Sequence, residues 1–103
     1  MIIVLATIEL HPGKRPEFLA EFHKIVPKVR AENGCHEYFP AIDTATGLPV
    51  QGPARNDVVV VVEKWESIAA LEAHLIAPHM MEYRSRVKDF VKKVSLQILS
   101  PAE

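Results

Sequence analysis

Cysteine occurs once, at Cys35, so neither a disulfide within the chain nor a multi-cysteine metal site or iron-sulfur cluster can form. Stability must come from packing. Four glycines and eight prolines among 103 residues are too few and too scattered for a fibrous or low-complexity protein. Neither sign of charge dominates: 12 basic side chains stand against 13 acidic ones, for a formal charge of -1. Without a block of lysine and arginine, the chain lacks the footprint that a phosphate backbone or an anionic membrane demands, and nucleic acid is not an expected partner. Long apolar runs are missing too. Met1 to Ile8, interrupted by Thr7, and Val58 to Val62 fall far short of the roughly 20 residues that span a bilayer. No basic n-region followed by an apolar core and a small-residue cleavage site opens the sequence, so a cytoplasmic location is the expectation. What is present is a chain 49% hydrophobic, enough to fold, and of a length that predicts one domain over residues 1–103.

Ile2 to Leu10, rich in β-branched and aliphatic residues and stopped by His11-Pro12-Gly13, predicts a strand. From Arg15 to Glu32, Phe18, Phe22, Ile25 and Val29 recur at helical spacing, widened by Leu19 and Val26, with Glu17, Glu21, Lys24 and Lys28 opposite. Pro16 suits the first turn of this amphipathic helix, Pro27 should kink or shorten it, and Asn33-Gly34 supplies a left-handed stop. Cys35 to Asp43 reads as a second strand, placed at an edge or bulged by Pro40. Thr44 to Asn56 is long for a hairpin connection and is a candidate lid or partner-binding loop. Asp57 to Trp65 (DVVVVVEKW) is the clearest strand. Ser67 can cap a helix with Ile68, Leu71 and Leu75 on one face, interrupted at Ala77-Pro78. A further helix over His79 to Phe90 buries Met80, Tyr83, Val87 and Phe90, and Lys93 to Ser100 closes the chain as a strand.

The order β-α-β-β-α-β, with the second helix broken in two, specifies an α+β fold: a ferredoxin-like split β-α-β antiparallel sheet with helices on one face. The first and third strands carry apolar residues on both sides, and helices can cover only one of them. The other face requires a partner, and a second copy packed sheet to sheet predicts a homodimer.

No glycine-rich phosphate loop, zinc-protease helix, paired metal-ligand spacing or G-x-S-x-G elbow occurs. What remains is a cluster: Glu63-Lys64-Trp65-Glu66-Ser67, then His74, Pro78, His79 and Tyr83. An indole N–H donates from an apolar ring and an imidazole exchanges protons near neutrality, which suits a greasy substrate with an ionisable hydroxyl or carbonyl. The same residues also read structurally, Trp65 as a core or interface aromatic and His74 as a helix histidine with a structural hydrogen bond. His74 and His79, five apart with a proline between, lack the i, i+4 geometry of a helical metal site. Adjacent Cys35 and His36 point to opposite faces of a strand and form no nucleophile–base dyad.

The run V-E-K-W-E-S-I-A-A-L-E-A-H-L-I-A-P-H-M (Val62 to Met80), with P-G-K at Pro12 to Lys14 and E-N-G-C-H-E-Y at Glu32 to Tyr38, closely resembles the antibiotic biosynthesis monooxygenase family, above all its small bacterial quinol monooxygenase branch. The resemblance covers nearly the whole chain. It implies a dimeric α/β barrel with a hydrophobic pocket between sheet and helices, and insertion of an oxygen atom from O2 into a small aromatic hydroquinone or phenol without flavin, haem or metal; no cofactor is expected. It further implies His74 or His79 as general base, Trp65 as the group that orients a substrate oxygen, and Tyr83, Met80, Thr7 and Glu63 as pocket lining. Polyketide-modifying members pair the strand tryptophan with an asparagine four residues earlier, where this chain has Val61; haem-degrading members use an asparagine on the first strand, where it has Thr7 or Glu9. A branch similar to the isomerase of a phosphorylated autoinducer shares the H-x-x-x-P-H segment and would want a phosphate site, for which Arg55, Arg84 and Arg86 are the candidates. The non-catalytic alternative is a ligand-binding dimer.

Overall fold

In the computed structural model, which describes residues 1–103, seven elements follow in order: β1 (Ile2–Leu10), α1 (Arg15–Arg30), β2 (Cys35–Ala41), β3 (Val58–Trp65), α2 (Ile68–Leu75), α3 (Pro78–Val87) and β4 (Val91–Leu99). The strands form one antiparallel sheet in the order β2-β3-β1-β4. This is the expected ferredoxin-like α+β arrangement.

Side-chain alternation decides what lies on each face. Ile2, Val4, Ala6, Ile8 and Leu10 of β1 are buried against the helices, together with Val59, Val61, Glu63 and Trp65 of β3. Ile3, Leu5 and Thr7, with Val58, Val60 and Val62, point the other way and stay half-buried. On the helical side, Phe18, Phe22, Ile25 and Val29 of α1 supply the buried stripe read from the periodicity. That helix packs on β2 and α3, and α2 packs on β3. No helix packs broadly on β4. Val94, Leu96 and Ile98 pair with Ile8, Ala6 and Val4 and so share the helical face, yet they remain 54%, 44% and 44% exposed.

Several local expectations are refined. The first helix runs through Pro27 to Arg30 rather than stopping at the proline or reaching Glu32, because Pro27 stands on its exposed side, where water can serve the freed carbonyl. β2 is the sheet edge that Pro40 requires, and its register shift falls between Cys35 and Glu37 instead of at the proline. Ser67 caps α2, its hydroxyl accepting from Ala70 N–H at 3.1 Å. Within α2 the fully buried positions are Leu71 and His74, while Ile68 is 49% exposed, so the buried stripe is rotated and carries an imidazole inside. The loop after β2 is closed at its neck by Arg55, which donates to both Asp43 carboxylate oxygens at 2.8 and 3.0 Å.

Gly34 ties the end of α1 to the site-bearing segment. Its φ is +85°, and a Cβ there would stand 2.7 Å from Ala70 Cβ, while its carbonyl accepts from Glu66 N–H at 2.8 Å. Gly13 has a similar φ of +77° with open space around it. A left-handed alanine costs about 1–2 kcal/mol at either place. Gly34→Ala is therefore expected to lose clearly more stability than Gly13→Ala in urea unfolding, and equal losses would show that the Ala70 contact yields freely.

Candidate active site

Between the helical face of the sheet and α3 lies a cavity of about 430 Å³, open on the side of β4, where the sheet outruns its helices. Its wall is mainly hydrophobic, from Ala6 and Ile8 of β1 round to Val94 and Leu96 of β4. The polar side chains reaching it are few: Tyr38, Glu63, His74, Tyr83, Arg84 and Lys88. A space of this size and character suits a small aromatic molecule.

Glu63 and Trp65 sit two apart on β3 and therefore share the helical face. Trp65 is wholly buried, and its Nε1–H donates to Glu63 Oε1 at 2.9 Å. Glu63 itself is 5% exposed and has no cation against it. Burial pushes its carboxyl up to about 7, against the pull of the indole N–H and with a further push from the charge of Glu32. Next to it the His74 ring lies over Trp65 with centroids 4.6 Å apart and meets Tyr38 edge-on at 5.4 Å. His74 Nδ1 donates to Glu32 Oε2 at 2.9 Å, and His79 Nε2 donates to the same oxygen at 2.7 Å. Burial lowers the His74 pKa, opposed by Glu32 and reinforced by Arg84 and His79. The imidazole is thereby kept neutral near pH 7, with Nδ1 occupied and Nε2, which has no partner within the chain, left for a ligand. No group of three or more His, Cys, Asp or Glu side chains is disposed to hold a metal ion.

The sequence pattern of the antibiotic biosynthesis monooxygenases matches residues 1–86. The Escherichia coli (strain K12) protein named probable quinol monooxygenase YgiN is 47% identical over 103 residues, covering 98% of each chain. The chain belongs to the antibiotic biosynthesis monooxygenase family. Among solved structures, PA3566 from Pseudomonas aeruginosa matches with a TM-score of 0.82 at 24% identity over 99% of this chain and 94% of that one. Rv0793 from Mycobacterium tuberculosis matches with a TM-score of 0.80, also at 24% identity, over 99% and 95%. At these identities the structural likeness concerns the fold.

Within this monooxygenase-family fold the residues singled out from the sequence fall into three groups. His74, Glu63, Met80 and Tyr83 line the cavity. Trp65 and His79 do not; the first lies behind Glu63 with its N–H engaged, and the second stands behind His74 on Glu32. Thr7 is corrected outright: paired with Val60 and Ser95, it faces the opposite side of the sheet from Ala6 and Ile8 and cannot reach the cavity. The Thr44–Asn56 loop contributes no residue to the lining. Sequence reasoning passed over Glu32, although it opens the E-N-G-C-H-E-Y run, and over Tyr38 in the same run. Cys35 is no thiolate, since burial pushes its thiol up to about 11, and His36 is paired with Glu66.

A buried carboxyl with a raised pKa carries a sign. Between its ordinary 4.5 and about 7, the folded chain binds more protons at Glu63 than the unfolded one, so this group makes stability fall as pH rises through that window. Glu63→Gln, which can still accept from Trp65, is expected to be more stable than wild type at pH 8 by on the order of 1–3 kcal/mol, with little gain at pH 4. Parallel pH–stability curves for the two proteins in urea would show that Glu63 ionises in the fold without penalty.

Proposed function

We propose that this chain is a cofactor-independent monooxygenase that oxidises a small aromatic hydroquinone or phenol with O2, working as a homodimer. The observation that carries the reading is an apolar cavity with two proton acceptors, Glu63 and His74, at one end. The 47% identical relative named as a probable quinol monooxygenase supports it.

Triplet oxygen reacts slowly with closed-shell molecules, whereas an ionised hydroquinone is reducing enough to hand it an electron. The protein therefore has to bind the ring, exclude water and remove a proton. His74 removes it. Glu32 holds the tautomer by accepting from Nδ1, Nε2 takes the phenolic proton, and the carboxylate then stabilises the imidazolium. One oxygen atom of O2 bonds to the ring and the other leaves as water, so hydroquinone and dioxygen yield a hydroxyquinone and water with all four electrons drawn from the substrate. Trp65 acts through Glu63 and His79 through Glu32, which makes both positioning residues rather than groups that touch substrate.

The uncovered face supports the homodimer. Ile3, Leu5, Val60 and Val62 stand there with no element of the chain over them. A second copy packed sheet to sheet covers them. Val62→Lys is expected to convert a dimer in light scattering into a monomer, and a wild-type monomer at micromolar concentration would remove this part of the reading.

Oxygen uptake with reduced naphthoquinols, measured over the autoxidation background, tests the chemistry. His74→Ala should lower turnover by about 100-fold or more. Activity that climbs through pH 7 and loses that limb in Glu63→Gln places Glu63 beside His74 as a proton acceptor, because its carboxyl ionises near there. Wild-type uptake no faster than background would sink the proposal.

A further inference from the structure

The mouth of the cavity holds two cations that nothing in the chain neutralises. Arg84 lies in the last turn of α3 and Lys88 closes that helix, four residues on, so the two share a helix face, and both line the cavity. Like charges at this spacing repel each other. Neither makes an ion pair or a side-chain hydrogen bond within the chain, whereas Arg86 of the same helix does. Arg86 reaches Glu21 at 3.2 Å and Glu82 at 3.5 Å. Arg55 is clamped on Asp43, which removes two of the three arginines that the sequence offered for binding a phosphate group.

Basic residues at a helix C-terminus are favoured by the helix dipole, but that applies equally to Arg86, which turns away from the cavity. The position of Arg84 and Lys88 on an otherwise greasy wall is what the dipole does not explain. The acids lie elsewhere in the site: Glu63 on the wall and Glu32 behind His74. An anion therefore meets repulsion beside Glu63 and attraction beside Arg84 and Lys88.

We propose that Arg84 and Lys88 form an anion subsite, and that the molecule this cavity takes is an aromatic ring bearing an anionic substituent, a carboxylate or a phosphate ester. The inference rests on the reading of the cavity as the substrate site. Guanidinium and ammonium groups grip the anionic substituent, the apolar wall takes the ring, and the opposite ring edge with its hydroxyl is presented to His74 and Glu63. Charge at one end thus selects which ring position meets the base.

The test is calorimetric binding of three molecules that oxygen does not attack under assay conditions: naphthalene-2-carboxylate, 2-naphthyl phosphate and 2-naphthol, which is neutral at neutral pH. Wild type is expected to bind at least one anionic compound about tenfold more tightly than 2-naphthol, with a preference that shrinks as salt is added. The Arg84→Gln/Lys88→Gln double variant should lose that preference through weaker binding of the anionic compounds. Tighter naphthyl phosphate assigns a phosphate ester, and tighter naphthoate a carboxylate. Equal binding of all three, a preference that survives in the double variant, or no binding at all overturns the subsite. Because no turnover is involved, failure of the oxygen chemistry would appear in oxygen uptake alone and failure of the anion subsite in these affinities.

Discussion

A four-stranded sheet offers more apolar surface on its helical side than α1, α2 and α3 can cover, and the site exists because of that shortfall. The helices bury the β3 and β1 portion to near completion, with Val4 and Val59 wholly inaccessible. Past β1 the cover ends. Val94 and Leu96 on β4 continue the same apolar face but meet the cavity instead of a helix. Leaving such side chains exposed forfeits roughly 25 cal/mol for each Å² not buried. The fold gains in return a greasy recess with one open side, which a small aromatic molecule can complete.

The polar side of that recess is held in opposed tension. Glu63 is buried with a single strong donor, the Trp65 indole, and its carboxyl resists ionisation; His74 is buried beside it and resists protonation. The first makes the folded state less stable as pH rises from 4.5 towards 7, and the second makes it less stable as pH falls below the ordinary histidine value of 6.5. Each penalty marks a proton-exchanging group held away from water at the same end of the cavity. A site built only for stability would place neither group there.

Much of this was legible in the sequence, and the reasons differ by element. β1 and β3 are pure alternation of aliphatic residues, a signal that tertiary context has no cause to override, and their spans came out to within a residue. α2 was less legible. Its eight residues place Ile68, Leu71 and Leu75 along one apparent apolar face, but in so short a helix the final rotation is set by the neighbours, and Trp65 draws His74 inward in place of Ile68. In the site, His74 and Glu63 could be named because their residue types carry chemistry. Glu32 could not, since its importance lies in a contact with His74 across 42 positions of sequence. Thr7 was misplaced by parity alone: one residue along a strand exchanges one face of the sheet for the other.

Pro78 explains how two histidines come to share one carboxylate oxygen. In an unbroken helix, residues five apart are rotated by about 140° around the axis and cannot address the same point. The helix ends instead at Leu75, the backbone turns extended at Ala77, and Pro78 opens α3 with the φ that suits a first position. His79 thereby starts a second helix and reaches back to the oxygen that His74 already holds. Glu32 is delivered to that point from the far end of α1, just before the left-handed Gly34 that passes close to Ala70 of α2. The proline that interrupts the helical pattern and the glycine that stops the first helix thus serve one end: they bring an anion and two imidazoles together at the back of the cavity, so that the ring nitrogen left free on His74 belongs to a base whose tautomer is already set.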